Sequence, residues 1–125
     1  MAAYTEGNYV GDVLKREFEP LYNRETGTLI SGQNLAVGAV LGKITASGKY
    51  TAVAPAASDG SEAACAVLLA STDASSADTK TIILARGPAV VAADFLVWPS
   101  GATGGQKTAA TAQLTALGIV SRAAY

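Results

Sequence analysis

The stretch TKTIILAR, at residues 79–86, carries the strongest strand signal in the chain. Its β-branched residues favour extended backbone, and Gly87 and Pro88 follow it where a strand should end. The run ACAVLLA, at residues 64–70, is continuously apolar, which is typical of a strand at the centre of a sheet rather than at its edge. Together these two runs predict a domain built mainly from β-structure.

Shorter strand signals lie on both sides of this pair. VLGKIT at residues 40–45 and KYTAV at residues 49–53 flank a short glycine-containing loop, which is the pattern of a β-hairpin. Further short strands are expected at residues 28–30, 89–91, 95–98 and 119–120. Before residue 28 the sequence instead predicts a helical turn over residues 12–19, stopped by Pro20, and a polar turn over residues 22–27.

One helix is predicted over residues 103–117. Thr103 and Gln106 have the spacing of a capping box at its start, and Gly118 stands where a glycine commonly ends a helix. An apolar stripe at helical spacing is formed by Ala110, Leu114 and Leu117. The predicted fold class is therefore mostly β with one helix in the C-terminal half, an α+β domain.

The composition of the chain changes near residue 28. Residues 1–25 hold eight of the nineteen charged side chains and four of the eight aromatic ones, whereas the rest is rich in Ala, Gly, Ser, Thr and Val. This change predicts a polar N-terminal arm over residues 1–27 and a compact β-rich domain over residues 28–125. The arm has aromatic residues in a segment that need not fold by itself, so we expect it to bind a partner.

Charge and core composition restrict the classes of function. The net charge is −1, and neither part of the chain forms a basic patch, so the electrostatic footprint of a nucleic-acid-binding protein is missing. Half of the residues are apolar, but 26 of the 125 residues are alanine, which buries little area per residue. Because a core of such small side chains buries little apolar area, we expect the chain to associate into an oligomer.

The sequence offers little for catalysis. It has no histidine and a single cysteine, Cys65, so neither a zinc site nor a Ser/His/Asp or Cys/His nucleophilic site can be built. Cys65 lies in the apolar run, where we expect a buried, inert thiol. Two acidic pairs, Asp59 with Glu62 and Asp73 with Asp78, lie in polar loops and are interpreted as turn formers. We therefore expect no enzyme activity, no metal and no cofactor.

No stretch has the length of a membrane span, and the N-terminus is too polar for a secretory signal. The sequence thus predicts a soluble protein made in the cytoplasm.

The arm has the features of a segment that adds a strand to a partner. Tyr4, Thr5, Tyr9 and Val10 are residue types that extended backbone favours, and two glycines remove any helical period. An extended peptide can pair with the exposed edge of a sheet on another protein. Several arms on one oligomer would bind together more strongly than one.

Six stretches, in this order, carry a resemblance to a known family. They are TEGNYVG (5–11), SGQNLAVGAVLGKITASGKY (31–50), APAASDGSEAACA (54–66), TIILARGP (81–88), LVWP (96–99) and the closing helix with LGIV (117–120). With these stretches the chain resembles the head decoration proteins of tailed bacteriophages, the lambda-type capsid-stabilising family. Compared with the shorter prototype of the family, this chain has a longer and more charged segment at residues 12–25. The resemblance leaves the role of this segment open.

The resemblance implies a fold and a function. It implies a β-clip-like domain with an extended arm, and a homotrimer that sits as a knob at the local three-fold axes of the expanded head. There the knob would bind the major capsid protein on the outer surface of the virion and stabilise the shell against DNA pressure. The capsid contacts that it implies are Tyr4, Thr5, Glu6, Tyr9 and Val10 in the arm. Phe18 and Tyr22, in the longer segment, are further candidate contacts, either to the shell or back onto the domain. Trp98 and Pro99 are expected to support the core or the trimer seam.

Two other classes of function remain open from the residues themselves. One is a different structural component, such as a tail or baseplate protein or a small β carbohydrate-binding module. The other is an enzyme or carrier domain, which would need a modifiable Lys43 or Lys49 near the predicted hairpin or converging carboxylates.

Overall fold

Ten strands and one helix follow one another along the part of the chain that the structure describes. That part, in a computed structural model, comprises residues 14–17, 23–54, 57–93, 96–99 and 102–122. The elements are β1 (Leu14–Glu17), β2 (Arg24–Leu29), β3 (Gln33–Leu35), β4 (Val40–Lys43), β5 (Tyr50–Ala52), β6 (Ala64–Leu68), β7 (Thr72–Ala74), β8 (Thr79–Leu84), β9 (Ala89–Ala92), α1 (Gly104–Ala116) and β10 (Ile119–Arg122). The mostly-β fold with one helix near its C-terminal end is confirmed.

Five of the strands close into a small barrel in the order β2-β5-β4-β6-β8. β2 and β8 close it through six antiparallel pairs, from Arg24 opposite Leu84 to Leu29 opposite Thr79. β4 and β5 form the predicted hairpin. β6, from the apolar run ACAVLLA, lies between β4 and β8, so its predicted central position is confirmed.

The remaining strands form two smaller sheets. In one, β9 lies in the middle, with β1 antiparallel on one side and β10 parallel on the other. The other is the two-stranded pair of β3 and β7. Neither β3 nor β7 was predicted: the residues of β3 follow a Ser-Gly turn signal, and those of β7 lie in a segment that was interpreted as a polar loop.

Two apolar clusters lie on opposite faces of the barrel strands. Neighbouring residues point to opposite faces of a strand, so Leu41, Leu68 and Ile83 join one cluster. The residues next to them, such as Val67 and Leu84, join the other. This second cluster also contains buried residues of β9, α1 and β10, and it therefore holds the small sheet and the helix against the barrel.

The helix begins with the predicted capping box. The Thr103 hydroxyl accepts a hydrogen bond from the Gln106 N–H at 3.1 Å, and the Gln106 side chain accepts one from the Thr103 N–H at 2.9 Å. Gly118 follows the helix at φ 86°, a left-handed conformation that favours glycine. Leu114 is buried, but Leu117 is exposed. The predicted apolar stripe is thus wrong at its last member, because the helix ends before Leu117 can turn inward.

Three local predictions before and after the barrel are corrected. The expected helical turn at residues 12–19 contains strand β1 instead, because pairing with β9 outweighs the weak local helical pattern. The expected turn at residues 22–27 contains the start of β2, which is ordered by its ladder with β8. Residues 96–99 make no strand of their own and form a single bridge, between Val97 and Ala39.

One glycine of β4 allows a close approach of two backbone segments. A Cβ atom added to Gly42 would lie 2.2 Å from the carbonyl oxygen of Ser61. Ser61 is buried at the end of the loop that leads into β6. The loop therefore packs directly on the hairpin, and no side chain fits between them.

Candidate functional site

The arm residues expected to touch a capsid lie outside the part of the chain that the structure describes. They are Tyr4, Thr5, Glu6, Tyr9, Val10, Phe18 and Tyr22. The structure does describe where the chain enters the folded domain. Leu14, the first described residue, pairs with Val91 of β9, and its side chain is half-buried against the second core cluster. The boundary drawn between arm and domain at residue 27 falls inside β2.

Strand β1 lies within the predicted arm and anchors it to the small sheet. It pairs with β9 on one side, and no strand among the described residues pairs with its other side. The ladder is short and has an irregularity between Leu14 and Arg16. Any segment that leaves the domain at residue 13 thus starts from an anchored strand at the edge of a sheet.

The segment of Trp98 and Pro99 lies beside the barrel. The Val97 N–H donates to the Gly38 carbonyl at 2.8 Å, and the Val40 N–H donates to the Val97 carbonyl at 3.1 Å. Trp98 is half-buried and packs against the second core cluster, and Pro99 is half-buried next to it. The indole thus lies at the surface of the domain and packs inward against the core. Its support of a trimer seam stays a prediction.

Two of the loop carboxylates serve the turns in which they lie. Asp59 accepts hydrogen bonds from the hydroxyl and the N–H of Ser61, at 2.5 and 3.0 Å, and Asp73 accepts the same pair from Ser75. These hydrogen bonds, from the serine hydroxyl first, lower the pKa of both carboxyl groups. Each arrangement is a turn closed by its own aspartate.

Asp78 joins two loops. Its carboxylate accepts from the Ser31 N–H at 2.8 Å and lies 2.5 Å from the Lys49 ammonium. The hydrogen bond from Lys49, and then that from Ser31, lowers the pKa of Asp78. The Lys43 ammonium lies 5.7 Å from the centre of the Tyr50 ring. Both lysines of the hairpin therefore have partners within the domain.

The single cysteine is half-buried in β6. Burial raises the pKa of the Cys65 thiol, which keeps it protonated and weakly nucleophilic. Burial, with the nearby Cys65 as a smaller cause, also raises the pKa of Tyr50.

Among the described residues, no group of three or more Cys, Asp or Glu side chains has the geometry of a metal site. No described helix is long and apolar enough to cross a membrane.

An open depression on the barrel wall was not predicted from the sequence. It has a volume of about 400 Å³ and lies between β2, β8 and the start of β7 with the two residues before it. In its lining, the Thr72 and Thr81 hydroxyls are 2.6 Å apart, and the Thr72 hydroxyl donates to the Ala70 carbonyl at 2.8 Å. Ile82, which is exposed, also lines it. The two residues that follow it, Ile83 and Leu84, are apolar too, so the pattern alone could not show which of these side chains faces outward.

The family model of the bacteriophage lambda head decoration protein D matches residues 3–119. No curated protein sequence matches the chain. The match covers most of the arm and nearly all of the folded domain, so the chain belongs to the family of the bacteriophage lambda head decoration protein D.

Proposed function

We propose that this phage head decoration protein is a homotrimeric cement protein of the outer capsid surface. It binds at the local three-fold axes of the expanded head and stabilises the shell against the pressure of the packaged DNA. It is made in the host cytoplasm and acts as a structural protein, not as an enzyme. The observation that carries this proposal is the family match over residues 3–119, together with the loop carboxylates that serve turns.

We assign the capsid contact to the arm, with Tyr4, Thr5, Glu6, Tyr9 and Val10 as its contact residues. An added strand gains about 0.5–1.5 kcal/mol for each ladder hydrogen bond and about 1.5–3 kcal/mol for each large side chain that it buries. One arm would bind weakly, because ordering it costs entropy. Three arms on one knob bind together, since the second and third act at effective concentrations of order mM.

The architecture of the domain supports this assignment. The barrel is closed and offers no free strand edge, whereas β1 continues the arm into the small sheet. Leu14 holds β1 to the second core cluster. Phe18 and Tyr22 follow β1 in the chain and stay lower-ranked contact residues, either to the shell or to the domain itself.

The experiment is cosedimentation with expanded, undecorated capsids of the phage that encodes the chain. The full chain is compared with a chain that begins at residue 13. A deletion to residue 27 is unsuitable, because it removes β1 and more than half of β2, whose six pairs with β8 close the barrel. We expect the shorter chain to keep its mass in light scattering and its melting temperature, and to lose sedimentation with the shells. Equal binding of both chains would instead place the contact on the folded domain.

Neighbouring proline substitutions test the strand pairing itself. Successive N–H groups of a paired strand point in opposite directions, so only one of Tyr9→Pro and Val10→Pro removes a hydrogen bond to the capsid protein. We expect one of the two to weaken binding far more than the other. Tyr9→Ala and Val10→Ala are the matched controls for the lost side chains. If each proline variant binds as its alanine partner does, the arm does not bind as a strand.

A further inference from the structure

Two large apolar side chains are exposed in the described part of the chain, Ile82 at 39% and Leu117 at 41%. Ile82 lies in β8 on the barrel wall, and Leu117 directly follows the last turn of α1. The other large apolar side chains that the structure describes are buried or half-buried. The domain thus presents two separate apolar points on two different elements.

The depression beside Ile82 is lined mainly by short side chains of Thr, Ser and Ala, together with Asp73 and Lys80. Ile82 pairs with Thr26 across the β2–β8 ladder, so both side chains stand on the same outward face beside the depression. The Thr72 and Thr81 hydroxyls in its lining are hydrogen-bonded to each other. No buried polar side-chain atom among the described residues lacks a partner. Among the described residues, no buried side-chain donor or acceptor is therefore left without a partner for a polar ligand such as a sugar. An apolar side chain, in contrast, could cover Ile82.

The surface around Leu117 suits close contact with another backbone. The outer side of α1 carries the exposed residues Ala109, Ala112 and Ala116, which share a face of the helix. Lys107 is the only charged residue of the helix. A helix side that faces water usually carries charged side chains, and short side chains let a neighbouring surface come close.

A closed ring of identical copies needs two different surfaces on each copy, because each copy contacts the next head to tail. We infer that Leu117 of one copy inserts into the depression beside Ile82 of the next copy, so that the outer side of α1 lies against β2 and β8. Three such contacts close the ring. The rim of the depression carries one side chain of each sign, Asp73 and Lys80, so it does not repel the nearly uncharged helix side. This inference rests on the proposed trimer and names its seam.

Cysteine cross-linking tests the seam, with Cys65→Ser in every variant to remove the native thiol. Chains carrying Ile82→Cys and chains carrying Leu117→Cys are mixed, unfolded, refolded together and oxidised mildly. Because copies assort at random, about one quarter of the seams bring the two different cysteines together. We expect a cross-linked dimer in the mixture and at least a tenfold weaker band in either variant alone.

The chain that carries both cysteines gives a second readout. We expect its cross-linked ladder on a non-reducing gel to end at three copies, because the ring closes. The matched control combines Leu117→Cys with Ser58→Cys, since Ser58 is exposed in a loop and does not line the depression. A trimer by light scattering that gives no cross-link at 82 and 117 would overturn the seam and leave the proposed function intact. A monomer would overturn both the trimer and the seam.

A charge exchange tests the same contact without disulfide geometry. We expect Leu117→Glu alone to shift the chain at least tenfold toward monomer in sedimentation equilibrium. Adding Ile82→Lys should restore the trimer, since the two new charges would face each other across the seam. Both positions are exposed in the single chain, so neither change disturbs its core. Failure of the second change to restore association would count against the contact.

Discussion

Leu114→Ala tests how the helix is held to the domain. Leu114 is fully buried and belongs to the cluster that joins α1 to β6, β9 and β10. Removing a buried leucine side chain to Cβ costs about 2–5 kcal/mol, from lost transfer free energy and the cavity that remains. The total stability of a domain is about 5–15 kcal/mol. The loss is therefore a large share of the total, and the folded-to-unfolded ratio falls at least about 30-fold.

The measurement is urea unfolding followed by circular dichroism, with thermal melting as a second readout. At roughly 4 °C for each kcal/mol in a domain of this size, the melting temperature should fall by about 8–20 °C. The matched control is Leu117→Ala, three residues further on and exposed. An exposed substitution changes the stability of the single chain by no more than about 0.5 kcal/mol.

Both variants are measured at two protein concentrations, because association stabilises the folded chain by mass action. We expect the Leu114→Ala loss to be the same at both concentrations and the Leu117→Ala loss to appear only at the higher one. A Leu114→Ala loss below about 1 kcal/mol would refute the reasoning, since it would mean that the helix is not held by this core.

Three further predictions concern local structure. Gly42→Ala should cost about 1–3 kcal/mol or more in urea unfolding, because its Cβ would lie 2.2 Å from the Ser61 carbonyl; Gly104→Ala, with open space around it, should instead stabilise by up to about 1 kcal/mol. Thr103→Ala removes the capping box and should lower stability by about 0.5–2 kcal/mol in thermal melting. Asp59 has a folded pKa below its ordinary value of 3.8, so its stabilising effect is complete above that pH and is lost as the pH falls through the folded pKa. Melting from pH 5 to pH 2 should therefore fall more steeply in the natural chain than in Asp59→Asn, and equal slopes would contradict this.

The elements whose signal is local were predicted from the sequence. The capping box at Thr103 and the hairpin around Gly48 depend on residues that lie within a few positions of one another, and both are confirmed. Strand β8 was also predicted, because its residues are rich in β-branched side chains. In each case the neighbouring residues fix the backbone conformation, whatever packs on it later.

The elements that depend on distant partners were not predicted. The sequence pattern around β1 predicts a helical turn. The segment is a strand only because it pairs with β9, some seventy residues later. β3 and β7 are three residues each and are ordered by pairing with each other. Because residues 82–84 are all apolar, the sequence does not show which face of this strand is exposed. The depression beside Ile82 could therefore not be predicted.

The position of β1 at the edge of the small sheet has a mechanical consequence. If the capsid holds the arm as proposed, a pull along the axis of β1 enters the domain at Leu14. The ladder to β9 is then loaded in shear, so its hydrogen bonds share the force instead of opening one after another. β9 also pairs with β10 and belongs to the core that carries α1, so the load spreads into the folded body rather than into a loop. An arm bound as proposed would thus pull on a reinforced point of the domain, and we expect it to detach from the shell before the domain unfolds.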